Sequence, residues 1–519
     1  MAVANAVDKT KTVADPNAEF ESMMRIWQNS RAICSGERFV KALDEYLDTL
    51  NYSNLLIPFS PSMTQAQYDF YKAEAELPGI VSQFAKMLVG GLLRKEPLLE
   101  LPDSVPEGTQ NWIMNNFTQD NSTITSFLDE LLWEEIQTSR AWVFIDHPTI
   151  PSAEEKTNEE LDEYAPFPVL WQAESIINWK TSKDLKGNTI LQQVIVKGLV
   201  EKYTDNEFHP DLVDTVYVHE IVKDRYQIRV YEREVAEEEV ATVSGRRQVD
   251  NRKTTEKFSL VDTKTNIMVK NERLTRIPAF PLNGNIDISE PILGPIISKE
   301  ISLYNKLSRR NHLLYGASTY TPIIKSDMQK EDFEEIVSNG LGSWILLKPD
   351  EDATVLKTPT DALKDMDRAI AGTIEEMAKL GIRMLSPETA QSGVALELRN
   401  AAQNAQMGSL NNKVSVTMSK IIAFMIYWRT GEEIPDSEIG FTLSADFNPI
   451  PLGADWLRLA TEWYENKIIP RSIWLQILKQ NDMIAPDYDD EEGQAEIKAD
   501  TIVEDAIPET NFFDDVRDK

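Results

Sequence analysis

The chain has a single cysteine, Cys34, in 519 residues. A disulfide framework is therefore excluded, and the composition fits a protein folded in a reducing compartment. Histidine is nearly as scarce. His147, His209, His219 and His312 are scattered, and none has a Cys or His partner at ligand spacing, which leaves little from which to build a transition-metal site. No apolar run approaches the roughly 18 residues needed to cross a bilayer. The best candidate, IIAFMIYW at 421–428, reads as a buried helix segment. The first twenty residues, MAVANAVDKTKTVADPNAEF, contain no apolar core run, so no signal peptide is expected, and a soluble chain without a membrane partner is.

Enzyme signatures are missing as well. There is no Gly-x-Gly-x-x-Gly after a strand, no Gly-x-x-x-x-Gly-Lys-Ser/Thr, no His-Glu-x-x-His and no Gly-x-Ser-x-Gly elbow. Cys34 precedes SGERF, and nothing there marks it as a nucleophile. No catalytic residue, cofactor or metal is expected. Basic residues are outnumbered, 53 Lys and Arg against 85 Asp and Glu, for a net charge of −32. A field of that sign argues against a basic groove that grips nucleic acid, and is compatible with a surface past which a polyanion slides.

What is present is a chain with 42% apolar residues, long enough for two or three domains. Helical periodicity runs from Ala18 to about Leu50 and again from 64 to 97, with a break at Pro78 and an end at Gly90-Gly91. A third helix, 124–139, feeds the short strand RAWVFIDHP. The acidic stretch 149–164 reads as a solvated loop. From Pro166 to about Phe280 the period changes to two, as in TVYVHEIV and RYQIRVYER, which predicts an antiparallel barrel-like or open sheet with a long hairpin insert at 234–257. Beyond it lie a helix at 292–318, a small α/β patch with the strand SWILLK, a helix at 361–382 and a helix from Gly393 to Trp428. A short strand at 442–448 and two or three helices over 454–482 follow. The tail 487–519 carries 13 acidic residues against three basic ones and reads as solvated.

The helices at 292–318 and 361–382 flank the α/β patch. A two-helix stalk buries too little to stand alone in water. It is stabilised either by side-by-side association with copies of itself into a ring, or by lying on the sheet domain of its own chain.

The order of several stretches resembles the portal proteins of tailed bacteriophages, specifically a portal-like family known by a domain of unknown function. These stretches are GGLLRKEP (90–97), TSRAWVFIDHP (138–148), RIPAFPLNG (276–284), SPETAQSG (386–393) before a long helix, and FTLSADFNP (441–449). Ser139-Arg140 stands where that family usually has Gly-Arg. The resemblance spans about residues 20–490 and implies an α+β, portal-like subunit. It would comprise an N-terminal arm (1–19), a wing (20–290; helical to 140, β-rich from 141), and a first stem helix (291–318). A small α/β clip (319–360), a second stem helix (361–383) and a tunnel loop (384–394) would follow. The wing's long helix and return strand (395–453), crown helices (454–486) and the acidic tail (487–519) would complete it.

By that resemblance Leu385, Ser386, Pro387, Glu388, Thr389, Ala390, Gln391, Ser392 and Gly393 would face an axial channel. Pro387 disfavours helix at Ser386 and Gly393 frees the backbone where the long helix begins. A plain helix–helix connector explains the same residues. Arg383 and Arg399 bracket the loop and either pair with neighbouring acids or brush phosphates. Trp344, Ile345 and Leu346 would belong to the clip interface. The implied role is a homo-oligomeric ring of about twelve copies at one capsid vertex of a virion, assembled in the host cytoplasm. It would pass double-stranded DNA without sequence specificity during packaging and ejection. Its partners would be the terminase large subunit, a head–tail adaptor or tail proteins, and the major capsid or scaffold protein. A different oligomeric virion or scaffold protein without a DNA channel, and a carboxylate-dependent hydrolase, are the rival readings.

Overall fold

The computed structural model describes residues 11–49, 54–106, 108–148, 165–183, 187–203, 208–234, 257–265, 267–269, 272–318, 323–325, 345–347, 360–380, 393–443 and 454–480, with a few isolated positions. It divides into two units, Met1–Ala445 and Asp446–Lys519.

The first unit opens with α1 (Ala18–Ser35), α2 (Glu37–Thr49), α3 (Gln65–Glu74), α4 (Ile80–Leu92), α5 (Thr109–Asn115) and α6 (Ile124–Thr138). Local chemistry sets several ends. Asn17 accepts from Phe20 N at 2.8 Å to start α1, and Thr64 with Gln67 forms a capping box for α3. The helical pattern from 18 to 50 is two helices, because Gly36 takes φ +102° and turns the chain. The expected stop at Gly90-Gly91 is also corrected: both lie inside α4, which continues to Leu92. Gly91 serves close approach instead, since a Cβ there would lie 2.7 Å from Met407 Cε. In α6, buried positions run almost all round its C-terminal half, from Leu131 through Thr138, so this helix is the centre of the helical layer.

From α6 the chain turns at Ser139 (φ 52°) into the β part. After a short β1 (Leu98–Glu100), the strands are β2 (Trp142–Asp146), β3 (Phe167–Trp171), β4 (Ile176–Lys183), β5 (Thr189–Lys202), β6 (Asp211–Val222), β7 (Arg225–Arg233), β8 (Phe258–Lys264), β9 (Met268–Val269), β10 (Glu272–Arg273) and β11 (Ala279–Pro281). The period-two region forms an open five-stranded antiparallel meander, β4-β5-β6-β7-β8, and a three-stranded sheet, β11-β2-β3. Between β6 and β7, Lys223 and Asp224 both have positive φ (52° and 58°), the two-residue turn whose twist suits a hairpin. The acidic loop at 149–164 and most of the insert, 235–256, lie outside the described residues.

Among the described residues, the helices that follow are α7 (Gly294–Ser318), α8 (Thr360–Lys379) and α9 (Gly393–Thr430). Between α7 and α8, β12 (Ile323–Lys325) and β13 (Ile345–Leu347) pair in parallel. The C-terminal half of α9 is a core element, with Val414, Met418, Ile421, Ile422, Phe424, Met425 and Ile426 buried. Thr417 Oγ1 donates to Leu282 O (2.9 Å) and Ser419 Oγ to Ile439 O (2.9 Å), which ties α9 to the strand region. The last described strand, β14 (Gly440–Thr442), starts earlier than the 442–448 expected and pairs with β1.

In the second unit, α10 (Ala454–Glu465) and α11 (Arg471–Gln480) form a helical hairpin. Tyr464 stacks on Trp474 with ring centroids 4.8 Å apart. The turn between them has Lys467 at φ 59°.

Candidate functional site: the paired helices and their root

Three cross-links fix the relation of α7 and α8. Lys299 pairs with Glu376, Lys306 Nζ donates to Thr373 Oγ1, and Arg310 pairs with Asp367. As the α7 number rises the α8 number falls, so the helices are antiparallel. Exposed ion pairs of this kind contribute little stability, so their weight lies in register. The apolar seam is supplied on α8 by Ile370 and Met377, with Thr373 between them. Ile374, on the remaining surface of α8, and Leu380, just past its end, are 43% and 44% exposed.

The root of α7 is built by buried polar groups. Helix α4 begins at Gly79, which has no side chain to cap it. Glu300, fully buried on α7, supplies that cap from 220 residues away: Ile80 N and Val81 N donate to its carboxylate at 2.9 and 2.7 Å. Burial pushes the Glu300 carboxyl above its ordinary range, against those N–H donors. One turn on, Asn305 Nδ2 donates to Leu55 O (2.8 Å) while its Oδ1 accepts from Ile57 N (2.8 Å). Asp44 accepts from Leu55 N at 2.6 Å and completes the clasp on this segment. Glu300→Ala is expected to orphan two buried donors and cost about 2–3 kcal/mol, while Glu300→Gln, which keeps an acceptor, loses less. Thermal unfolding of both variants checks this, and an alanine variant as stable as the parent would rule the cap out.

The connector into α7 is held equally closely. Leu282 N donates to Ala141 O (2.9 Å), Asn283 Nδ2 to Ser139 O (2.7 Å) and Ile292 N to Ser139 Oγ (3.0 Å). Beside it, Glu135 is buried and accepts from Ala141 N at 2.9 Å; burial pushes its carboxyl up to about 7, opposed by that bond and by Asn283. Periodicity did not single out Glu135, Glu300 or Asn305. The available signal was phase: Glu300 sits on the apolar stripe carrying Ile297 and Tyr304.

Of the residues singled out from sequence, Arg383, Leu385 to Ser392 and Trp344 lie outside the described residues. Gly393 is the first residue of α9, and Arg399 lies within that helix with its side chain outside the description. Ile345 and Leu346 are in β13, opposite Ile323 and Ile324. The four histidines occupy separate places. His219 is enclosed by aromatic rings, His147 stacks on Trp428 (5.4 Å), His312 lies between Phe59 and Tyr71, and His209 is exposed. Among the described residues, no cluster of three His, Cys, Asp or Glu is placed to hold a metal ion, and no helix is long and apolar enough to cross a membrane. Cys34 is buried, and burial pushes its thiol up to about 12.

Residues 295–429 match the family described as "Domain of unknown function (DUF4055)". The matched stretch runs from α7 through β12, β13 and α8 to the end of α9, and so contains the paired helices with their root residues Glu300 and Asn305. A comparison with curated proteins finds no match. Among solved structures, the chain is similar to one from the virion of a native gene transfer agent particle, at 10% identity and a TM-score of 0.35. It is also similar to one from the neck of that native particle computed with C12 symmetry, at 9% identity and a TM-score of 0.34. In each case 77% of this chain and 89% of the other are covered.

Proposed function

We propose that the chain is an oligomeric structural subunit of a phage-type virion, and within that class the subunit of a portal ring. In this reading α7 and α8 are the stem, the β12–β13 region is the clip, and the segment between α8 and α9 faces the channel. The observation that carries it is the antiparallel α7–α8 pair, rooted through Glu300 and Asn305, with a small parallel strand pair in the connection between the helices. Among the described elements α8 packs chiefly on α7, yet Ile374 on it and Leu380 just past its end stay uncovered. Lateral association with further copies covers such a surface, and a ring closes it without leaving an end. The net charge of −32 suits a passage that keeps duplex DNA centred by repulsion. The terminase large subunit, a head–tail adaptor and the capsid or scaffold protein are the partners this role requires. The absence of a nucleotide-binding motif in the sequence leaves the work of translocation to the terminase.

Negative-stain electron microscopy with native mass spectrometry of the purified chain tests the proposal. A ring of about twelve copies with a hole wide enough for a duplex is the expected result. Closed oligomers without a hole would remove the channel and leave a virion structural protein of another kind. A chain that stays monomeric even when co-expressed with its capsid and scaffold proteins would overturn both.

A further inference from the structure

Arg140 stands at the junction of α6 and β2, one residue after the left-handed turn at Ser139. Its guanidinium lies 4.1 Å over the Trp179 ring and 5.5 Å from the Trp142 ring, and the residue is only 2% exposed. Nη1 donates to Ile286 O at 3.2 Å. Nε and Nη2, the edge that matches the two oxygens of a carboxylate, are buried and have no hydrogen-bond partner among the described residues. A buried guanidinium with that edge unfilled is costly, and stacking on tryptophan satisfies its faces, not its N–H groups.

Two carboxylates act on it. Burial draws the Arg140 guanidinium down to about 10, and the charges of Glu19 and Asp287 oppose that pull. Both acids are exposed, and neither carboxylate hydrogen-bonds or pairs with another described side chain. They are not equivalent. Glu19 lies in the first turn of α1, where the helix dipole already favours its charge. Asp287 follows Ile286, whose carbonyl is docked on Nη1, so its backbone already lies at the guanidinium. Two acids beside the site also disfavour an external anion there.

We propose that Arg140 is the receptor of an ionic latch, in which Asp287 turns inward and its carboxylate takes Nε and Nη2 in a bidentate pair. Closure pins the connector from Leu282 to Leu293 onto the α6–β2 junction. It thereby fixes the direction in which α7 leaves, alongside the Ser139 contacts to Asn283 and Ile292. The latch belongs to the connector itself and holds whatever α7 serves.

Hydrogen exchange on the full-length chain tests it, with Asp287→Asn, Glu19→Gln and Arg140→Lys compared with the parent. Asp287→Asn is expected to speed exchange over 283–293 by about tenfold, and Glu19→Gln by less than about twofold. In the Arg140→Lys background, where no fork exists, the effect of Asp287→Asn should shrink severalfold. Should Arg140→Lys not fold, a high-resolution map of the full-length chain provides the second readout, with the Asp287 carboxylate expected on Nε and Nη2. Unchanged exchange in Asp287→Asn would overturn the latch, as would a larger effect of Glu19→Gln or an ordered water or external anion on that edge.

Discussion

Arg31→Met is expected to lower the unfolding free energy of the first unit by about 3–5 kcal/mol, because it strands a buried carboxylate. Arg31 on α1 reaches two acids far along the chain. Its Nη2 meets Glu134 on α6 at 2.7 Å, and Nε and Nη2 together grip Glu174 at 2.6 Å each. Nη1 donates to Gln137 Oε1 at 3.2 Å. Burial works against the Arg31 charge, yet the bonds to Glu174 and Glu134 outweigh it and raise its pKa. Glu134 is only 3% exposed and also accepts from Ala173 N at 2.9 Å, which joins α6 to the start of β4. Without the guanidinium that carboxylate keeps the Ala173 N–H and the Thr138 hydroxyl (3.2 Å) as donors but no counter-charge. Replacing Arg31 and Glu174 by apolar residues of similar volume together with Glu134→Gln, which still accepts from Ala173 N, should recover most of the loss, since it removes the charge along with its partner. Urea unfolding of the single and triple variants measures this. A loss under about 1 kcal/mol for Arg31→Met would mean that water replaces the pair at no cost.

Stability should also fall on both sides of a pH optimum, through two buried groups with opposite signs. His219 on β6 lies among Phe144 and Trp171 (ring centroids 4.9 Å each) and Tyr226, whose hydroxyl is hydrogen-bonded to Nδ1 at 2.6 Å. Burial drives its pKa down to about 3, and Lys264 acts in the same direction. The unfolded chain takes up a proton near pH 6.5 that the folded chain refuses, so stability is complete above about 6.5. It then falls by up to about 1.4 kcal/mol per pH unit as the pH drops toward 3. Carboxylates held low by cations, such as Glu220 beside Arg229, lose their contribution only below about 4.5, so between about 4.5 and 6.5 the slope from His219 is opposed chiefly by Glu135 and emerges once Glu135 is replaced by Gln.

Glu135 has the opposite sign. With its folded pKa raised to about 7, its contribution is complete below about 4.5 and is lost as the pH rises through 7. In urea titrations across pH, His219→Phe with Tyr226→Phe should flatten the acid limb. Glu135→Gln, which still accepts from Ala141 N, should flatten the alkaline limb and stabilise the chain at pH 8. An acid limb unchanged by the double variant would assign it to other groups.

The sequence was legible where neighbours along the chain decide the outcome. Alternation in TVYVHEIV and RYQIRVYER announced an antiparallel sheet, because one face of each strand meets the core. The helices near 124–138, 294–318, 360–379 and from 393 announced themselves by period and by their ends. Glycine was where this reading failed. Gly36 breaks a helix while Gly91 does not, because the first takes a positive φ and the second gives room to Met407 from a distant helix. Nothing in the local sequence distinguishes those uses.

By itself the amino-acid sequence determined most element types, the large negative charge, the lack of nucleotide-binding motifs and the order of its segments. Only the tertiary structure decided which buried polar groups meet. Glu300 caps a helix 220 residues earlier, Arg31 holds Glu174 across 143 residues, and His219 is sealed by rings from other strands. A period reports which face of an element is apolar, and that is a property of near neighbours. A buried charge is tolerated only where a particular partner arrives with the right geometry, and that arrival is settled by the packing of the whole unit.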